Sequence, residues 1–264
     1  MEIILERQVK IKMEMIRKQL RDLKLAGIAN SLETRNEYAI KNKLSHIEFL
    51  QLLLEDEINN RADNSLKKRL KRAKFPIIKK LEDFDFKFQP SLNEKEIYDL
   101  ATSSFIRKKE NIVFIGQTGT GKTHLAIALG MKAIFSGFDV LYTTVDGMIT
   151  QLNISKADST HYQKLKYYTE PDLLIIDELG FKKLNQNCLE NFFDIISRRY
   201  ETNSIIITSN KIFDEWNEVF LDSVLTGAIL DRIVHHCHLI QIKGESYRMK
   251  EQKIMKQKKE NGKE

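Results

Sequence analysis

The chain has 264 residues, 42% hydrophobic and 30% charged, with a formal net charge of +6 at pH 7, which fits one α/β domain of ordinary size plus a smaller module. No apolar run approaches the roughly 18 residues that cross a bilayer, and the N-terminal MEIILERQVKIKMEM mixes charges of both signs into its apolar residues, so neither a membrane span nor a secretory signal is expected. Cys188 and Cys237 are too few for a disulfide framework, which agrees with a reducing, cytoplasmic location.

From Met1 to about Ala29, apolar residues at helical spacing (Ile11, Met15, Leu20, Leu23) predict one helix or two short ones, with Gly27 and Asn30 marking a break. Ser45 and Glu48 form a capping box ahead of Phe49, Leu50, Leu53, Leu54 and Ile58, so a long helix starts there. Running from His46 to Lys74 it would span about 43 Å at about 1.5 Å per residue, apolar in its first half and basic in its second, before Pro76 stops it.

Charge is uneven along the chain. Residues 1–80 hold 19 Lys and Arg against 11 Asp and Glu. Lys67, Lys68, Arg69, Lys71, Arg72 and Lys74, with Lys79 and Lys80 beyond them, stand together without a carboxylate. A polyanion is the natural partner for such a run, and these residues are the expected DNA contacts. Residues 1–76 therefore read as a small all-α DNA-binding domain. Residues 77–95 read as a linker that carries Phe84, Phe86 and Phe88, aromatics that either line an adenine pocket or pack on the domain surface. Ser91 and Glu94 make a second capping box, opening a helix through Leu100 toward Phe105.

Asn111 to Ile115 is a short β-branched run, and GQTGTGKT from Gly116 to Thr123 fills every fixed position of the phosphate-loop pattern, with apolar residues at helical spacing after it. Strand, loop and helix follow in the order that aims backbone N–H groups and a helix N-terminus at phosphates. The expected ATP contacts are Gly116, Gln117, Thr118, Gly119, Thr120, Gly121, Lys122, Thr123 and His124. Lys122 would reach the β- and γ-phosphates, and the Thr123 hydroxyl would join Mg²⁺.

A second strand is expected at Asp139–Thr144 and a short helix at 147–152, followed by a polar stretch with Lys156, Lys164 and Lys166. Pro171 precedes a buried strand, Asp172–Asp177, that ends in Asp177 and Glu178. A helix from about Asn187 to Tyr200, a strand at Ser204–Thr208 and a strand at Leu239–Ile242 complete a parallel sheet of five strands with helices between them. Asp177 would hold the Mg²⁺ water shell, Glu178 would orient and deprotonate the attacking water, and Asn210 would bond the γ-phosphate and that water. Arg198, Arg199, Arg232 and Arg248 are candidates for further cationic charge, and composition does not rank them. His235, His236, Cys237 and His238 can all ligate zinc, but adjacent residues do not easily converge on one ion. Trp216 reads as a core aromatic, and 251–264 as a basic frayed helix or disordered tail.

The segments GQTGTGKTHLA, LLIIDELG, SRRYE with IIITSN, ILDRIVHH and GESYR occur in the order found in the AAA+ ATPases of the IstB and DnaC group, which the chain resembles. The N-terminal half, with LSHIEFLQLLLEDEINNR, AKFP and LEDFDFKFQP, is similar to IstB proteins, helper ATPases of bacterial insertion-sequence transposition. The resemblance covers nearly the whole chain. It implies a P-loop AAA+ core over 96–250 with strand order 5-1-4-3-2. It also implies that Arg232 acts as a finger completing a neighbouring subunit's site and that Arg248 is a sensor 2 residue. A homo-oligomer on duplex DNA and a partner transposase follow from it as expectations. The chain ends soon after GESYR, so no C-terminal lid domain is expected and closure over ATP would depend on neighbours. The alternative is a DnaC-like replicative helicase loader whose N-terminal domain grips a helicase; a module in which ATP only locks an assembly is the third reading.

Overall fold

The computed structural model describes residues 2–250, with side chains from Ile11 onward; the basic tail 251–264 lies outside the described residues. The chain divides into two units, 1–68 and 69–264. The division falls before the boundary expected at residue 76, and residues 77–95 belong to the second unit.

The first unit contains α1 (Glu2–Asp22), α2 (Ala26–Asn42) and most of α3 (His46–Ala73). Its core is small: Ile28, Leu32 and Leu53, with Met13, Leu20, Leu25 and Phe49 packed around them. The Ser45 capping box forms as expected, Glu48 Oε2 accepting from the Ser45 N–H at 2.7 Å and the Glu48 N–H donating to Ser45 Oγ at 3.3 Å. Gly27 does not break a helix. It sits in the first turn of α2, where its N–H and that of Ile28 donate to the buried Glu57 carboxylate at 2.7 and 3.3 Å. A Cβ there would lie 2.7 Å from Glu57 Cα, so α3 can approach only a glycine. The carboxylate satisfies orphan N–H groups at the positive end of α2, and Arg61 Nε donates to it at 2.7 Å.

In the second unit, α4 (Glu94–Ala101) and α5 (Ser104–Arg107) precede β1 (Asn111–Gly116), α6 (Lys122–Phe135), β2 (Val140–Thr144), α7 (Val145–Ala157) and α8 (His161–Thr169). Then come β3 (Leu173–Leu179), α9 (Gln186–Arg199), β4 (Ser204–Ser209), α10 (Trp216–Phe220), α11 (Ser223–Val234) and β5 (Cys237–Ile242). All strand pairs are parallel and the order is β2-β3-β4-β1-β5, the order the resemblance implied. The three central strands are near-continuous apolar runs because both faces of the sheet are covered. Val113, Ile115, Leu174, Ile176, Ile205 and Ile207 pack with residues of α7, α9 and α11. The alternate positions face α6, where a Cβ on Gly130 would come within 2.7 Å of Ile175 Cδ1.

Two local expectations change. Ser91 does not cap α4: its Oγ accepts from the Lys243 N–H at 2.9 Å, and Asn93 is the N-cap, its Oδ1 accepting from the Glu96 N–H. The polar stretch after α7 holds a helix, α8, which buries only Leu165 and Tyr168 and exposes Lys166, a pattern too narrow to stand out in the sequence. Trp216 is fully buried, as expected of a core aromatic.

Candidate nucleotide site

The loop between β1 and α6 is built on glycines at the points where it must turn. Gly119 and Gly121 have φ of +85° and +100°, conformations that side chains rarely adopt, and a Cβ on Gly121 would strike Phe84 at 2.6 Å. Lys122 is buried, and its Nζ donates to the carbonyls of Gly116 and Gln117, both at 2.7 Å. Burial pulls the ammonium pKa down to about 8, with Asp177 acting against that and Arg248 reinforcing it.

Beside the loop, the carboxyl ends of β3 and β4 converge on Asp177. Its Oδ1 accepts from the Thr123 hydroxyl at 2.9 Å and from the Thr208 hydroxyl; its Oδ2 accepts from the Tyr142 hydroxyl at 2.6 Å. Thr208 Oγ1 also accepts from the Glu178 N–H at 3.1 Å. The pairing of β3 with β4 shifts register between Ile176 and Leu179, and Glu178 is held at φ +67°, so its side chain leaves the strand pattern and is exposed at the sheet edge. Asn210 follows β4 directly. Its Oδ1 is buried without a partner among the described residues, and a Cβ on Gly180 would come within 2.5 Å of it. Lys122, Thr123, Asp177, Glu178 and Asn210 are thus brought to one edge of the sheet. The Thr123 hydroxyl and the Asp177 carboxylate are hard oxygen donors 2.9 Å apart, which suits Mg²⁺.

A pocket of about 480 Å³ opens beside the loop, lined by residues 119–124 and walled by Ile77, Ile78, Phe84, Ile127 and Tyr247, with Arg248 at its rim. Of the three aromatics considered for an adenine pocket, only Phe84 lines it. Phe86 packs on Phe84 and Tyr98, and Phe88 on Tyr247, so these two brace the wall from behind. His124 Nε2 lies 2.8 Å from the Lys80 carbonyl, its ring meets Phe84 edge-on, and burial lowers its pKa. The GESYR segment reaches the loop through the Tyr247 N–H, which donates to the Gly119 carbonyl at 2.9 Å.

The four candidate arginines separate. Arg199 is fully buried and donates to the carbonyls of Tyr168, Thr169, Pro171, Asp172 and Ser204, so it is structural, and burial brings its pKa down to about 9. Arg198 is exposed at the end of α9. Arg232 lies on α11 with its guanidinium 4.9 Å from the Phe193 ring centre and Nη1 donating to the Ala228 carbonyl at 2.8 Å; it does not line the pocket. Arg248 does line it.

The basic run does not lack carboxylates in space. Arg72 Nη1 donates to Asp139 Oδ2 at 2.9 Å, and Arg69 lies 3.9 Å from Asp139. Lys74 Nζ stands over the Tyr167 ring, as does Lys164. Lys67, Lys68 and Lys71 are exposed. The turn before β5 also corrects the adjacency argument: His235 and His236 do come together, with Glu201, their candidate ligand atoms all within 4.8 Å of one another. His238 is apart, paired with Glu110 at 2.9 Å. Tyr142 and Thr208 were not singled out from sequence. The usable signal was that both carry hydroxyls near the carboxyl ends of strands that flank Asp177.

A family model described as IstB-like ATP binding protein matches residues 18–255. The chain belongs to the IstB-like ATP-binding protein family. A relative named for ATP binding in insertion sequence IS5376 of Geobacillus stearothermophilus is 42% identical over 245 residues, covering 93% of this chain and 98% of the relative. A similarly named protein of insertion sequence IS21 from Pseudomonas aeruginosa is 42% identical over 231 residues, 88% of this chain and 87% of that one. Among solved structures, AMPPCP-bound DnaA from Aquifex aeolicus matches with a TM-score of 0.52 at 24% identity, over 62% of this chain and about half (49%) of DnaA. A DnaI crystal structure matches with a TM-score of 0.52 at 23% identity, over 62% of this chain and 91% of DnaI. These structural likenesses show a shared P-loop AAA+ fold. Family membership and the phosphate loop agree on ATP as the nucleotide. No helix among the described residues is long and apolar enough to cross a membrane.

Proposed function

We propose that this IstB-family protein hydrolyses ATP to ADP and phosphate, assembles as a homo-oligomer on duplex DNA in the cytoplasm, and assists a transposase in target selection and DNA transposition. The observation that carries the hydrolytic part is the Thr123–Asp177 hydrogen bond beside Glu178, which joins the phosphate loop to a carboxylate pair at the sheet edge. Lys122 pairs with the β- and γ-phosphates once they displace the Gly116 and Gln117 carbonyls from its ammonium. Thr123 and Asp177 hold Mg²⁺, which supplies charge neutralisation on the phosphates when bound. Glu178 takes the proton of the attacking water, and Asn210 Oδ1, without a partner among the described residues, is an acceptor that can fix that water's orientation. Arg248 at the pocket rim adds cationic charge from the same chain. Arg232, turned away from this pocket, is assigned to a neighbour's γ-phosphate.

Lys67, Lys68, Arg69, Lys71, Arg72 and Lys74 are assigned to duplex DNA. The ion pairs that Arg69 and Arg72 make are partly exposed, and such pairs are worth about 0–1 kcal/mol, so a phosphate can compete for them. The family description and the insertion-sequence relatives favour transposition over a DnaC-like helicase loader.

The experiment measures phosphate release and duplex DNA binding in parallel. Glu178→Gln is expected to bind ATP and retain it unhydrolysed; wild-type turnover by that variant would remove Glu178 from the catalytic set. Replacing Lys67, Lys68, Lys71 and Lys74 by Ala is expected to flatten the salt dependence, each lost phosphate contact lowering the slope of log K against log salt by about 0.9. An unchanged slope would move the DNA site elsewhere, with Lys156, Lys164 and Lys166 next.

A further inference from the structure

Three hydroxyl groups from three segments fix Asp177. Thr123 and Thr208 donate to Oδ1, and Tyr142 alone among the described residues donates to Oδ2, at 2.6 Å. Thr123 has a prospective role at Mg²⁺ and Thr208 also serves the Glu178 N–H. Among the described residues the Tyr142 hydroxyl has no polar partner but the carboxylate. Burial, reinforced by Asp177, raises the pKa of that hydroxyl, so it remains a donor throughout the neutral range.

The Tyr142 ring has a second neighbour. Phe75 meets it edge-on, with ring centres 6.3 Å apart and planes at 66°. Phe75 is itself wedged against α6, since a Cβ on Gly130 would lie 2.9 Å from Phe75 Cζ. It directly follows the basic segment that ends in Lys71, Arg72 and Lys74. Arg72 grips Asp139, the residue just before β2 and three residues ahead of Tyr142. The basic segment therefore holds β2 at two points, Arg72 at its entry and Phe75 at Tyr142. β2 is an outer strand, paired with β3 on one side only, so it is less restrained than the central strands.

We propose that Tyr142 is a positioning residue for Asp177 and that β2 carries the state of the basic segment to it. A polyanion that draws Arg72 away from Asp139 relaxes the entry of β2, and the change reaches the carboxylate that would hold Mg²⁺ through the Tyr142 hydroxyl. The coupling rests on the assignment of residues 67–74 to duplex DNA; the positioning role does not. The Arg72–Asp139 pair is partly exposed on both sides, which makes it weak enough for a DNA phosphate to replace. A hydrogen bond that orients a metal-holding carboxylate has the opposite character, and its loss typically costs about 10–100-fold in metal affinity.

The test follows binding of a fluorescent, non-hydrolysable ATP analogue to the full-length protein as Mg²⁺ is titrated, with and without duplex DNA. Tyr142→Phe is expected to raise the half-saturating Mg²⁺ concentration about tenfold or more, with affinity for the analogue in EDTA unchanged. A wild-type Mg²⁺ midpoint in Tyr142→Phe overturns the positioning role. In the wild type, duplex DNA is expected to shift the midpoint. Phe75→Leu should abolish that shift, and Asp139→Ala, a surface change that leaves both rings in place, should show the DNA-bound midpoint without DNA. If DNA leaves the wild-type midpoint unmoved, or if Asp139→Ala keeps the DNA-free midpoint, the coupling is wrong. Fluorescence anisotropy of labelled DNA in the same samples, for the wild type and for a variant with Lys67, Lys68, Lys71 and Lys74 replaced by Ala, reports separately whether the basic segment binds DNA at all.

Discussion

Thr208→Val deletes one hydroxyl at an almost isosteric cost and removes two bonds together. Thr208 Oγ1 donates to Asp177 Oδ1 and accepts from the Glu178 N–H at 3.1 Å, and the residue is 1% exposed. The first bond ends on a carboxylate and is worth about 1.5–3 kcal/mol; the second, once lost, leaves an N–H without its partner, at about 1–3 kcal/mol. Asp177 keeps Thr123 and Tyr142, so relaxation recovers part of this and a net loss near 3 kcal/mol is expected. For a domain of this size about 2–4 °C accompanies each kcal/mol, giving a fall in Tm of roughly 6–12 °C. Catalysis should suffer more than binding. Glu178 sits at φ +67°, and the Thr208 bond is one of the restraints on that left-handed backbone. ATP affinity should therefore stay close to wild type while turnover drops about 10-fold or more, within the range that general-base placement supplies. Differential scanning fluorimetry with and without ATP, beside single-turnover phosphate release, measures both. A variant that melts and hydrolyses like the wild type would show that Thr208 does not hold the Asp177–Glu178 corner.

Lys122 gives a pH dependence. Its pKa of about 8 in the free site is raised when phosphates bind, so nucleotide affinity should be full below pH 8 and fall above it with a limiting slope of about one log unit per pH unit; affinity that stays flat to pH 9.5 would count against the burial of a titrating ammonium. Arg199→Lys cannot meet all five carbonyls and should cost about 3–5 kcal/mol in urea unfolding, whereas Arg198→Ala should stay within about 0.5 kcal/mol. For Arg232, an equimolar mixture of Arg232→Ala with Lys122→Ala should recover activity that neither variant has alone, because an interface can then pair a sound loop with a sound arginine. No recovery in mixtures that co-assemble by light scattering would turn attention to Arg198 and Arg248.

The phosphate loop was legible because its requirements are local: a β-branched strand, glycines at two positive-φ positions and a helix start, all between Asn111 and Lys122. The strand order came from resemblance, since parallel pairing is set by crossovers that no short window records. Asp177 and Glu178 were legible as carboxylates ending a buried strand, but not the register shift that turns Glu178 out of it. Arg199 and Arg232 look alike in sequence and differ only in whether α9 or α11 turns them toward backbone carbonyls or an aromatic ring. Ser91 and Gly27 misled for a related reason, each being used by a residue far along the chain, Lys243 and Glu57. Sequence spacing reports only neighbours within a turn or two, so a group recruited across the fold is invisible to it.

The strand order also determines which strand can carry the proposed coupling. β3 and β4 are central and carry Asp177 and Thr208, with Asn210 directly after β4 and β1 delivering the loop beside them, so the chemical groups sit on or beside strands bonded on both sides. Such strands have little freedom to move separately. β2 is different: it borders β3 alone, contributes the third hydroxyl on Asp177, and begins just after Asp139, the residue that Arg72 holds. In the proposed coupling a signal from the basic segment passes through β2, and Tyr142 is the β2 side chain bonded to the carboxylate.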